Sequence, residues 1–211
     1  MMRDPAVLGR KIGLPEPMIR TLGRLRTPAR IQDFVSGLRW NHATEQTAYS
    51  VVRVLQSGKA HCLEGAFVAA AALWLAGHRP LLMDLGSEND DDHVIALFRR
   101  GHYWGSISKS NSPFLRYRDP IYRSLRELSL SYFPHYLRRR RKTLRTYSAP
   151  IDLRTVDPSL WVTNPDFCRD VFDRLGTARH FHLLPARMTG ADLRPIDPIV
   201  KQAATLVEYP R

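Results

Sequence analysis

The sequence predicts an α+β fold, and three observations carry that prediction. Leu63 to Ala76 is apolar on every side except at Glu64, the pattern of a helix enclosed by protein. Directly behind it, Pro80 to Leu85 reads as a buried strand. Beyond a polar loop, Gly86 to Asp92, two further apolar stretches are separated by a tight connection containing Gly101, so they can pair only as an antiparallel hairpin.

The elements follow in chain order. Pro15, Pro17 and Pro28 punctuate the start, and Thr27-Pro28 supplies an N-cap followed by Pro at the first helical position. A helix is expected from about Ala29 to Trp40, with Ile31, Phe34, Val35 and Leu38 on one side. A short helix or turn through Ala48 to Gln56 should end at Ser57-Gly58. The apolar helix then stops at Gly77. His93 to Phe98 and Tyr103 to Ser108 form the hairpin. After Pro120 a longer helical pattern runs through Tyr122, Leu125, Leu128 and Leu130 until Pro134 interrupts it. A last helix is expected from about Pro165 to Leu175, capped by Asn164.

Composition narrows the class. A chain of 211 residues, 44% hydrophobic and 25% charged, has the make-up of a globular protein rather than a disordered, collagenous, coiled-coil or mucin-like one. Two cysteines, Cys62 and Cys168, are too few for a disulfide scaffold. The initial Met-Met-Arg-Asp-Pro-Ala lacks the apolar stretch of a secretory signal, and the longest apolar run, Gly65 to Gly77, is shorter than the ~20 residues of a membrane span. A cytoplasmic protein with reduced thiols is expected, without a transmembrane segment. The net charge of +12 is concentrated in residues 1–30 and in Arg138 to Arg145, and the remainder is nearly neutral.

The chemistry gathers at the head of the apolar helix. Cys62 follows Gly58-Lys59-Ala60-His61 at the position where unpaired backbone N–H groups and the helix dipole favour a thiolate. The same N–H groups can receive the oxyanion of an acyl-transfer transition state. A base is offered by the hairpin. With Arg100 and Gly101 as its loop, Val94 faces Ile107, Leu97 faces Trp104, and His93 faces Ser108, which becomes the orienting neighbour of the imidazole.

This order of residues resembles the transglutaminase-like superfamily, relatives of papain-like cysteine peptidases and arylamine acetyltransferases. Val54-Leu55 and Gly58 resemble the family's approach to the nucleophile. Cys62 takes the nucleophile's place, Ala66, Leu73 and Gly77 match the helix and its stop, His93 takes the place of the base, and Trp104 that of the aromatic on the returning strand. The match spans about residues 52–111. Where the family carries Asp after the His, this chain has Ser108, which accepts a hydrogen bond from imidazole but offers no full negative charge. Asn111 is a possible substitute, since papain-like sites use Asn, and Asp84, Asp91 and Asp92 are further candidates.

The resemblance implies a single transglutaminase-like domain. Its core would span about 27–135, with a Cys-bearing helix on a small antiparallel sheet. A basic helix end at about 136–146, a C-terminal extension over 147–211, and helical additions at both termini complete the expectation. It implies a thiol enzyme that cleaves or transfers an amide, peptide or other acyl group through a Cys62 acyl-enzyme, with His93 as base and Ser108 or Asn111 holding the ring. No metal or organic cofactor is implied. A zinc site among Cys62, His61, His93, His180 and His182 lacks suitable spacing, and Asp90 to Asp92 read as a solvated loop. Cys168 reads as structural. The alternative is a noncatalytic scaffold that contacts nucleic acid or another anionic surface through Arg138 to Lys142, a run preceded by Tyr132, Phe133 and Tyr136.

Overall fold

The computed structural model describes residues 4–210. Three helices open the chain: α1 (Pro5–Lys11), α2 (Glu16–Gly23) and α3 (Pro28–Gly37). The Thr27 hydroxyl caps α3 by accepting from the Arg30 N–H at 3.3 Å, with Pro28 at the first position. The helix ends at Gly37 rather than Trp40, because Arg39–Trp40 (β1) pairs in parallel with Lys59–Ala60 (β2) and draws the chain into extended geometry. Between those strands, α4 (Val51–Ser57) terminates on Gly58, whose φ of 65° is the left-handed conformation that favours glycine.

The central helix α5 (Cys62–Leu75) is buried along its whole length except at Cys62 and Trp74. Four strands follow in the order β3 (Leu81–Ser87), β4 (His93–Arg100), β5 (Tyr103–Ile107) and β6 (Arg118–Tyr122). Next come α6 (Leu125–Leu130) and a small hairpin of β7 (Leu137–Arg138) and β8 (Arg141–Lys142). After these the chain forms β9 (Leu144–Ser148), β10 (Ile151–Asp152), α7 (Arg169–Thr177), β11 (His180–His182) and α8 (Pro198–Ala203).

The main sheet is antiparallel, in the order β11-β9-β3-β4-β5-β6, with β10 also paired to β3. Alternate residues divide its two faces. Leu82, Val94, Ala96, Phe98 and Ile107 join the core built around α5. Leu81, Met83, Leu85, Ile95 and Leu97 face the other way, against Leu128, Tyr132, Tyr136, Leu144 and Leu183. Cover on both faces explains why β3 and β4 read as continuous apolar runs rather than as alternating ones. The mixed architecture agrees with the α+β class.

Several expectations are corrected. The hairpin loop is Gly101-His102, since Arg100 pairs with Tyr103, so the β4–β5 register is displaced by two residues: Ala96 faces Ile107, and Leu97 faces Ser106. Gly101, with φ of 60°, takes the first loop position, where its missing Cβ removes the steric penalty. Residues 118–122 are strand rather than helix, and Pro120 is tolerated because β6 lies at the sheet edge. The arginine run is not a helix end: Leu137 pairs with Lys142 and Arg138 with Arg141, around a turn in which Arg139 has φ of 56°. The C-terminal extension is not simply helical, because β10 and β11 complete the main sheet, which is larger than the small sheet expected. The last long helix begins at Arg169 behind Cys168, not at Pro165 behind Asn164.

Candidate active site

The site is assembled where α5 begins and β4 starts. His61 is the N-cap of α5: its backbone is extended, its Nδ1 accepts from the Leu63 N–H at 3.3 Å, and Glu64 Oε2 accepts from the His61 N–H at 3.0 Å. This reciprocal cap fixes the direction in which Cys62, the first helical residue, presents its side chain. The Cys62 N–H has no hydrogen-bond partner among the described residues and is free to receive an oxyanion.

Glu64 is completely buried and is the hub beneath the cap. Its carboxylate accepts from Asn41 Nδ2 at 3.1 Å, from Thr47 Oγ1 at 2.8 Å and from the Tyr49 N–H at 3.2 Å. A carboxylate taken so completely from water persists only with donors of this kind. The network ties the segment 41–49 to the helix start and holds His61 from its far side. His61 Nε2 lies 2.8 Å from the Thr47 carbonyl and 3.5 Å from Glu64 Oε1. Because a carbonyl only accepts, Nε2 carries a proton and Nδ1 is the ring atom whose protonation can change.

Two imidazoles act on the sulfur. Burial opposes ionisation of Cys62, but His61 and His93 outweigh it and hold the thiol pKa well below its ordinary value. Burial likewise opposes a charge on His61, yet the thiolate, Glu64 and the Thr47 carbonyl raise its pKa to about 9. The pair therefore favours thiolate and imidazolium over thiol and imidazole. Neither ring is aligned on the sulfur as a regular hydrogen bond; the aligned polar neighbour of Sγ is the Asp92 carbonyl at 4.0 Å. Long contacts of this sort are common before substrate arrives. Protonation of Nδ1 would cost the 3.3 Å contact from the Leu63 N–H, since an imidazolium nitrogen no longer accepts.

His93 heads β4, opposite Leu85 of β3. Its Nε2 donates to the Leu115 carbonyl at 3.1 Å, which leaves Nδ1 as the free acceptor. Ser108 does not face the ring as expected. Its hydroxyl donates to the same Leu115 oxygen at 2.6 Å, while its backbone N–H and C=O pair with the Gln32 side chain, each at 3.0 Å. Ser108 thus holds the carbonyl that holds the histidine. The displaced hairpin register is the reason, since the strand ends at Ile107 before reaching His93. Asn111 is likewise not on the ring: its amide donates to the Tyr209 carbonyl at 2.9 Å and accepts from the Tyr209 N–H at 2.8 Å.

Two clefts open onto Cys62. One, of about 440 Å³, is lined by Trp40, Asn41, His93, Asn111, Tyr136 and Ala204 among others. The second, of about 400 Å³, lies toward Asp84, Thr47, Phe172 and Leu175. Asp90, Asp91 and Asp92 border both, and none of the three bonds to His93. Asp92 instead accepts from the Ser87 N–H at 2.7 Å, and Asp90 accepts from Thr143 Oγ1 at 2.7 Å. Asp84 is buried, and burial together with the charges of Asp92 and Cys62 raises its pKa to about 8. Cys168 is fully buried at the start of α7, and burial raises its pKa to about 12. It is the inert thiol of the two.

The structure therefore brings Cys62 and His93 to one cleft, places Ser108 one bond further away, and turns Asn111 to another partner. His61 and Glu64 are the participants that sequence reasoning missed. Their signal was present: a polar cap residue followed three positions later by Glu, directly before an apolar run. Among the described residues no helix is long and apolar enough to cross a membrane. In comparisons with known proteins, the chain matches no family model and no curated relative.

Proposed function

We propose that the protein is a thiol enzyme of the transglutaminase-like kind, acting on an amide, peptide or other acyl bond through a Cys62 acyl-enzyme. The observation that carries this reading is geometric: Cys62 heads a buried helix with its N–H unpaired among the described residues, it shares one cleft with His93, and His61 caps the same helix start, where both imidazoles favour its thiolate. A Cys-bearing helix, then antiparallel strands with His at the head of the second, supports the finer fold assignment.

The roles divide by anchoring. His61, tied to Thr47 and Glu64, keeps its proton across neutral pH and acts as the charge that positions the thiolate. His93, with Nε2 committed to Leu115 and Nδ1 free, moves protons. The thiolate attacks the acyl carbon, and the oxyanion forms against the Cys62 N–H. The proton that Cys62 gives up passes to His93 Nδ1 and from there to the leaving group; His93 then takes a proton from the water or amine that attacks the thioester and returns it to the departing sulfur. A backbone carbonyl in place of a carboxylate orients the ring but supplies less stabilisation to imidazolium, so turnover should be modest.

Incubation with p-nitrophenyl acetate tests the reading. The expected result is a stoichiometric burst of nitrophenol and an acetyl group on Cys62, retained in Cys168→Ser and lost in Cys62→Ser. Acetylation confined to Cys168, or none at all, contradicts it.

A second reading has its own observation. The arginine hairpin borders a groove of about 970 Å³ with Arg145, Glu88 and Asp90. Arg138 and Arg145 are paired with Asp90 and Glu88, whereas Arg139, Arg140 and Arg141 have no carboxylate partner among the described residues. Such a surface suits a polyanion in a noncatalytic scaffold.

A further inference from the structure

The segment that follows α8 returns to the Cys62 cleft and is held there in an unusual way. Ala204 is one of the cleft-lining residues. Beyond it, Leu206 and Val207 expose 60% and 39% of their surface, so apolar packing does not fasten the segment. What fastens it is recognition of its main chain. The Glu208 N–H donates to the Asn111 carbonyl at 3.0 Å, and the Asn111 amide exchanges two hydrogen bonds with the backbone of Tyr209. A side-chain amide that reads both the N–H and the C=O of one residue, here at a bend over Glu208 and Tyr209, holds the main chain whatever side chain that residue carries.

The two side chains are read as well. Glu208 pairs with Arg116, whose Nε also donates to the Ser110 carbonyl at 3.1 Å. The Tyr209 ring lies 4.9 Å from Lys109 Nζ, a fully buried amine that also donates to the Ser36 and Leu38 carbonyls. A buried ammonium with no carboxylate partner among the described residues gains from an aromatic face placed over it.

We propose that Asn111, Arg116 and Lys109 form a docking site for a short, bent peptide segment carrying an acidic residue followed by an aromatic one, and that Glu208 and Tyr209 occupy it as a built-in competitor. This names the substrate class of the proposed thiol site as peptide, and it rests on that reading only for what happens after docking. Held by polar contacts beside an open cleft, the segment is displaceable, and its high local concentration sets the threshold an incoming peptide must overcome.

The test uses the full chain and a fluorescein-labelled peptide of residues 205–211, followed by fluorescence anisotropy. The double variant Glu208→Ala/Tyr209→Ala, which weakens the internal occupant, is expected to bind the peptide at least about tenfold more tightly than the parent chain. Adding Asn111→Ala should abolish the gain. Adding Arg116→Glu should also abolish it, and a peptide with Lys in place of its Glu should restore it, which shows that the variant is folded. Equal binding by parent and double variant, or binding indifferent to the peptide's acidic and aromatic residues, overturns the proposal. Cys62→Ala in the double variant should leave binding unchanged, so an unreactive thiol would remove the acyl-enzyme reading and leave this one intact.

Discussion

Glu64 carries the heaviest burden of any single residue in the site. A carboxylate with four donors around it, and none of its surface in water, joins the cap, the segment 41–49 and the His61 ring. Glu64→Gln keeps the shape and removes the charge, so donors that now face carboxylate oxygens meet an NH2 group. A loss of about 3 kcal/mol in unfolding free energy is expected. The His61 pKa should fall from about 9, because the Glu64 charge is one of its supports. Urea denaturation and NMR titration of the ring read the two effects, and a variant as stable as the parent would contradict the role given to the hub. At this scale the sequence was half legible. Cys62 and His93 were found because a helix start and a strand start leave side-chain signatures. The orienter of His93 escaped because Leu115 acts through its backbone carbonyl, which no residue type announces.

At the scale of elements, the approach of α5 to the segment after β5 sets the depth of the cleft. Gly65 makes that approach possible: a Cβ there would collide with Cβ of Lys109, and would lie 3.4 Å from Val35 Cγ1. Both ends of the contact are short of slack, since the Lys109 stem is enclosed and its amine is committed to backbone carbonyls. Gly65→Ala is therefore expected to cost about 1–3 kcal/mol, despite the better helix propensity of Ala. Thermal unfolding measures it; an unchanged or raised Tm would show that the helix does not press on this segment. The helices and strands of the core were readable because apolar periodicity, capping residues and Gly stops agreed. Residues 118–122 misled because an edge strand can hold Pro120, and the arginine hairpin because its turn contains no Gly, Asn or Asp.

For the whole molecule, the distribution of charge matters more than its total. The arginine hairpin stands beside Asp90, which also borders the clefts at Cys62, so the basic groove and the thiol site share a wall. If the hairpin binds polyanions, replacing Arg139, Arg140 and Arg141 with Glu should reduce the slope of log affinity against log salt for a single-stranded oligonucleotide by about 2 to 3. Reaction of Cys62 with a neutral alkylating agent should be preserved in that variant. A parent chain that ignores the oligonucleotide at low salt would leave the hairpin as a solvated surface. The C-terminal strands show why a sequence divided into core and extension conceals the real organisation. β9 and β10 lie along one edge of β3, and pairing across so many residues has no local sequence signal.

The central claim is that two imidazoles hold Cys62 as a thiolate, and the pH dependence of its alkylation by iodoacetamide tests this most directly. The account predicts a midpoint well below the ordinary cysteine value of about 8.5, displaced upward in both His61→Gln and His93→Gln. A midpoint at the ordinary value, unmoved by either substitution, would contradict it.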